Sequence, residues 1–303
     1  TNLFSAIDLR NGSRNIRVRN CIFTNLMDHG IGVIWSLLGA TNVVIEDSCE
    51  FYNCGTTQGI SGLVFDGACI VPNGDSWQIG SVRMDQFLRG IEPYGSNVQN
   101  LSISKPIMTR CWLQGYTHVN FDNTCNYSNI SVSLDFSKAE LSVPAQTVGA
   151  ISVGFGRRIT IKDCLINLNG ATYGIDADVP NVSGLDALDY VITGNTFFNG
   201  PTATAGISIT AYALGMATNI TIAGNLFKDI YGAGIFMSTR DSTVVGNVFE
   251  NVGFDGGRAI FLRNIRTNCN GNRITGNYIN VAGNAPYGIE LNVNTSDPTN
   301  NII

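Results

Sequence analysis

The sequence is poor in charge. Only 14% of its 303 residues are Asp, Glu, Lys or Arg, and 18 Lys and Arg face 23 Asp and Glu. A protein that tracks nucleic-acid phosphates needs a basic excess, so this balance disfavours nucleic acid as a partner. Runs of the helix-favouring residues Ala, Leu, Glu and Lys are nearly absent, which argues against a helical fold. No stretch of 18 apolar residues occurs, so no candidate membrane-spanning helix exists, and no membrane partner is expected. Histidine occurs only twice, at His29 and His118. Neither has a Ser or Cys at triad spacing, which disfavours a hydrolytic triad. His118 reads as a loop residue or a substrate contact beside Asp122. Proline is scarce at 8, whereas Gly is abundant at 34. That combination suits many tight turns between regular strands.

What the chain does have is a repeat. A β-branched residue is followed, five positions on, by an aromatic or aliphatic one. The pairs are Val18/Phe23, Val82/Phe87, Ile103/Met108, Ile161/Ile166, Ile192/Phe197, Ile222/Phe227, Val244/Phe249 and Ile274/Ile279. Looser copies end at Phe51 and Phe136. The mean period is roughly 28 residues, and about ten copies cover the chain, as expected for one elongated solenoid domain over residues 1–303. Two residues before the second anchor stands Asn195, Asn225, Asn247 or Asn277, and elsewhere Cys21, Cys49, Cys164 or Asp85. Stacked turns place these side chains about 4.8 Å apart. An Asn there tolerates a left-handed turn and bonds the next Asn along a ladder.

The turns ITGNTF (192–197) and ITGNYI (274–279), with IAGNLF (222–227) and VVGNVF (244–249) between them, carry a resemblance. The sequence resembles the right-handed parallel β-helix of the pectate-lyase-like superfamily. That resemblance implies an all-β solenoid with short parallel sheets and almost no helix. The competing leucine-rich repeat follows its Asn with a helix, whereas here a Gly-Ile strand of poor helix formers follows. The ends read as partial coils, Ala6–Arg10 closing one and Asn300–Ile303 opening another. Solenoids need capped ends, so the expectation is an internal piece of a longer polypeptide. The eight Cys are expected to be mostly buried thiols. Cys111 with Cys125, and Cys49 with Cys54, are the pairs to examine for disulfides.

Alternation on the Gly-Ile strand gives the facing. Ile31/Val33, Ile91/Pro93, Val119/Phe121, Ile151/Val153, Ile175/Ala177, Ile207/Ile209, Ile235/Met237, Ile260/Leu262 and Ile289/Leu291 read as inward. One outward row is then Gly32, Glu92, Asn120, Ser152, Asp176, Ser208, Phe236, Phe261 and Glu290. The second is Ile34, Tyr94, Asp122, Gly154, Asp178, Thr210, Ser238, Arg263 and Asn292. Insertions at 137–147 and 179–189 interrupt the coils beside this face and are expected to wall a groove.

The acids Asp122, Asp176 and Asp178 are the candidate catalytic residues. Glu92, Tyr94, Asn120, Phe236, Phe261 and Arg263 are the candidate substrate contacts. Sugar rings stack on aromatic faces and sugar hydroxyls bond carboxylates, so the partner class is a polysaccharide. Asp176 and Asp178 are two apart on one strand, hence roughly 6.5–7 Å between Cα atoms. That matches the separation of about 6.5–9.5 Å that lets an inverting glycosidase fit a water between acid and base. An oxygen-rich pair also suits Ca²⁺, and a lyase would need a basic proton abstractor. The N-T-D, G-H-G and R-I-K motifs of polygalacturonases and the D-P-H motif of alginate epimerases are absent. The resemblance is nearest to phage tailspikes or secreted polysaccharide-degrading enzymes. It implies a virion or extracellular setting, a homotrimer and no cofactor. A non-catalytic carbohydrate-binding or structural β-helix remains the alternative, as does a polysaccharide lyase.

Overall fold

The structure, a computed structural model, describes residues 5–9, 12–26, 29–32, 39–54, 67–95, 97–117, 126–138, 149–179, 186–211, 215–254, 257–264, 269–281, 283, 285–293 and 300–303. Among these there are 30 strands and no helix, and the pairings are parallel. Parallel strands joined by crossovers are right-handed almost without exception. The chain is a right-handed parallel β-helix.

Two compact units are present, Thr1–Val143 and Pro144–Ile303. In the second, each regular coil contributes to three ladders. Val191–Thr193 pairs with Thr221–Ala223, which pairs with Thr243–Val245 and then Arg273–Thr275. Thr196–Gly200, Leu226–Ile230, Val248–Val252 and Tyr278–Val281 form the next. The third runs through Gly149–Ser152, Tyr173–Val179, Ala205–Ala211, Ala233–Met237, Arg258–Asn264 and Tyr287–Val293. The first unit follows the same plan with longer strands. Its strand Ser102–Thr117 runs through the corner that separates two ladders elsewhere.

The repeat anchors form the core. Phe197, Phe227 and Phe249 are fully buried and stack at 4.9 and 4.8 Å between centroids, with planes 7° and 5° apart. Phe23 and Phe51 stack likewise in the first unit at 4.8 Å. These spacings equal the strand separation and fall in the range favoured by offset aromatic pairs.

The Asn ladder is present, with one change in how it works. Asn195 Nδ2 donates to Asn225 Oδ1 at 2.9 Å, Asn225 Nδ2 to Asn247 Oδ1 at 2.9 Å, and Asn247 Nδ2 to Asn277 Oδ1 at 3.0 Å. Each backbone N–H in the series donates to the same acceptor. Cys164, at the ladder position of the preceding coil, donates its N–H to Asn195 Oδ1 at 3.0 Å. The left-handed residue is not the Asn but the Gly before it. Gly194, Gly224, Gly246 and Gly276 have φ between 60 and 65°. Glycine carries the backbone strain, which frees the Asn side chain for the ladder. Left-handed Asn and Asp do occur at other, exposed corners, where Asn53 bonds Asn25 and Asn219 bonds Asp189. A further buried ladder, Ser242–Asn272–Asn301, was not foreseen from the repeat.

Cys49 and Cys54 are not bridged to each other. Both are buried thiols, whose sulfurs donate to the carbonyls of Val18 and Phe23. Cys125 lies outside the described residues, so the other pair does too.

Candidate functional site

The third ladder of the second unit presents the expected outward row in register. Ser152 pairs with Asp176, Asp176 with Ser208, Ser208 with Phe236, Phe236 with Phe261, and Phe261 with Glu290. In the second row Asp178 pairs with Thr210 and Arg263 with Asn292. Ser238, read as outward in that row, instead is 0% exposed and accepts a bond from the Cys269 thiol. Its strand ends at Met237, so the alternation does not extend to it. Among the described residues inward facing holds except on the 287–293 strand, where Leu291 is exposed; Val33, Val119 and Phe121 lie outside them.

A third outward row was missed. Gly174, Gly206 and Gly234 all point inward although the following Ile does too. A Cβ on Gly206 would lie 2.7 Å from the Phe227 ring, and one on Gly234 2.5 Å from Phe249. Two consecutive inward residues break the alternation at this corner. The residue before the step therefore faces out. The row is Gly149, Tyr173, Ala205 and Ala233 in register, then Arg258 paired with Tyr287. The signal was in the sequence: Gly or Ala precedes the inward Ile at these steps, and Tyr173 and Arg258 stand just ahead of it.

A cleft of about 460 Å³ opens on this face. Tyr173, Asp178, Ser208, Thr210, Phe236 and Ala233 line it, with Phe261, Arg258 and Arg263 at the other end. The structure thus brings together four of the expected residues: Asp178, Phe236, Phe261 and Arg263. Asp176 is not among the lining residues, although its register partner Ser208 is. Phe236 and Phe261 stand 5.2 Å apart and tilted by 54°. Arg258 lies 4.7 Å over the Phe261 ring and is ion-paired with Glu290. One face of Phe261 is therefore covered, so Phe236 is the more open platform.

The two aspartates differ. Asp176 is half-buried, and burial, reinforced by the neighbouring Asp178 charge, raises its pKa from 3.8 to about 7. Asp178 is exposed. A like charge nearby and loss of water both favour the protonated form of the more buried acid. Gly149 helps make the room: a Cβ there would meet Asp176 Cβ at 3.0 Å. Among the described residues no group of three His, Cys, Asp or Glu could hold a metal ion.

Glu92 and Tyr94 belong to the first unit. Glu92 is 5% exposed and ion-paired with Arg89 at 3.4 Å. Arg89 Nε in turn donates to Gln114 Oε1 at 3.2 Å. Arg89 occupies the missed row, ahead of Gly90. Tyr94 packs against Ala68 and Val71. His29 is also buried; its Nδ1 accepts the Ala68 N–H at 3.0 Å, and desolvation lowers its pKa to about 4. At neutral pH the Nδ1 acceptor puts the ring proton on Nε2, so His29 is a donor and not a base. Asn120, Asp122 and His118 lie outside the described residues, as do most of the two insertions.

No protein-family model matches the chain, and no curated protein does. Among solved structures, an alginate lyase from Paenibacillus sp. str. FPU-7 is similar to it. That likeness covers 85% of this chain and 93% of the lyase, at 14% identity and a TM-score of 0.31. It assigns no residue and no chemistry to this chain.

Proposed function

We propose that the chain binds a polysaccharide along the outward face of the second unit and hydrolyses it with inversion. The observation that carries this reading is the Asp176–Asp178 pair. The two carboxylates share a strand and a face, and burial with the Asp178 charge beside it raises the Asp176 pKa to about 7. Asp176 supplies a proton to the glycosidic oxygen as that bond breaks. Asp178, the exposed member of the pair, is the base in this reading and takes a proton from the water that attacks the anomeric carbon from the opposite face. Environments that push two acids apart assign the acid and the base. Phe236 gives the sugar an apolar surface, while Ser208 and Thr210 offer hydroxyl groups. In this reading the protein is a tailspike-like or secreted homotrimer that acts on bacterial surface or extracellular polysaccharide. Asp122 is the reserve partner for Asp176.

A lyase reading is favoured by one observation, the side chain of Tyr173 in the same cleft. In that reaction the base is the Tyr173 phenolate, which takes the proton beside a uronate carboxylate and becomes the phenol. The glycosidic C–O bond then breaks, and the proton passes to the leaving oxygen. Arg263, three coils from the acids, does not fill that role.

The test is a panel of bacterial capsules and O-antigens. New reducing ends without unsaturated-uronate absorbance support hydrolysis. The same ends with that absorbance support the lyase. Binding without cleavage makes the chain a carbohydrate-binding β-helix and overturns the enzymatic reading.

A further inference from the structure

The cleft holds two arginines, and only one is engaged. Arg258 is ion-paired with Glu290 and covers Phe261. Arg263 has no acidic partner among the described residues, and its Nε is buried there without a hydrogen bond. Thr210 is 8% exposed, and its Oγ1 is likewise buried without a hydrogen bond. Both residues line the cleft. Buried polar groups are normally paired, because leaving one unpaired forfeits its bonds to water. Two such atoms in one open cleft mark a place where the partner comes from outside.

The surroundings narrow the partner. A guanidinium presents a planar fork that fits carboxylate or sulfate oxygens. Phe236 stands one coil beyond Ser208 and supplies an apolar wall. The small side chain of Ala233 lies in the cleft between Tyr173 and the Arg258 end and leaves room for a ring over the strand backbone. Asp178 pairs with Thr210, Ile209 pairs with Met237, and Met237 pairs with Leu262, the residue before Arg263, so Arg263 lies three coil steps from Asp178. Three steps span about 14 Å.

We propose that this cleft is a subsite for a glycan unit bearing an anionic substituent, carboxylate or sulfate, held by Arg263. Thr210 bonds a hydroxyl of the bound glycan, and Phe236 packs against a ring. The inference rests on the polysaccharide reading and deepens it: the charged unit is recognised about three coils away from the carboxylate pair that does the chemistry. Arg258 is not the anchor, because Glu290 already neutralises it.

Isothermal titration of the full chain tests this with three oligosaccharides of equal length: one containing uronic acid, one sulfated and one neutral. The expected result is a preference of about tenfold or more for one acidic ligand over the neutral one. Whichever acidic ligand is preferred identifies the substituent. Arg263→Gln should bring the preferred acidic ligand down to the affinity of the neutral one, and Thr210→Val should weaken all three. Arg263→Lys, which keeps the charge and loses the fork, should fall between and guards against a folding defect in the first variant. Equal binding of acidic and neutral ligands by the unaltered protein overturns the inference alone. So does an Arg263→Gln protein that keeps the preference. If none of the three binds, the polysaccharide reading itself fails and the inference falls with it.

Discussion

Asn225 is bonded to Asn247 twice, through its backbone N–H at 3.0 Å and its Nδ2 at 2.9 Å, both to the same Oδ1. Asn225 Nδ2 also donates to the Ile192 carbonyl, and its own Oδ1 accepts from Asn195. Asn225→Leu therefore leaves donors on Asn195 and an acceptor on Ile192 without partners. Each buried group left unsatisfied costs about 1–3 kcal/mol. The midpoint of thermal unfolding should fall by several degrees. An unchanged midpoint would remove the ladder from the account of stability.

Gly234 and Phe249 are matched by shape. An added methyl at Gly234 would sit 2.5 Å from the Phe249 ring. On the next coil the register equivalents are Ala259 and Ile279. A smaller anchor therefore accompanies the larger step residue. Gly234→Ala should cost about 1–3 kcal/mol through overpacking. Adding Phe249→Leu should make the pair less damaging than the sum of the single changes, because neighbours in contact couple. Strict additivity in denaturant unfolding would contradict the match.

Two titratable groups, Asp176 and His29, oppose each other in pH. Asp176 has its pKa raised from 3.8 to about 7. Its folded form binds more protons than the unfolded chain, so stability falls as pH rises through that window. His29 has its pKa lowered from 6.5 to about 4. Its contribution is full above the unfolded value and is lost as pH falls. The two slopes partly cancel in the native protein. Asp176→Asn should leave the His29 slope, so melting temperature should rise more steeply from pH 4 to 6.5 than in the unaltered chain. Identical profiles would show that Asp176 titrates like an exposed carboxyl.

The same carboxyl sets an alkaline limit on rate. A general acid works only when protonated, so kcat/KM should decline above a pH of about 7. A profile that stays flat well above that value would exclude Asp176 as the acid.

The repeat was legible because its anchors are packing positions. Phe197, Phe227 and Phe249 recur where one ring must stack on the next, and Asn195, Asn225 and Asn247 recur where a polar turn is buried. The row from Ser152 to Glu290 followed from strict alternation. Alternation misled at two corners for local reasons. Ser238 lies beyond its strand end, and Gly174 turns inward with Ile175, which hid Tyr173 and Arg258. Ion pairing was not legible either. Nothing in the order of residues shows that Arg89 takes Glu92, or that Glu290 takes Arg258 while Arg263 is left over. Arg258 and Glu290 come from neighbouring coils, which the period aligns but does not pair, and Arg89 meets Glu92 three residues on in its own coil.

The most direct test of the site is the rate of cleavage of a confirmed polysaccharide by Asp176→Asn and Asp178→Asn, with glycan binding and melting temperature measured alongside. Losing a general acid or base slows a reaction by about 10²–10⁴-fold. Both variants should lose activity on that scale while folding normally and still binding the glycan. Two folded variants that cleave at the unaltered rate would place the chemistry elsewhere and contradict the assignment.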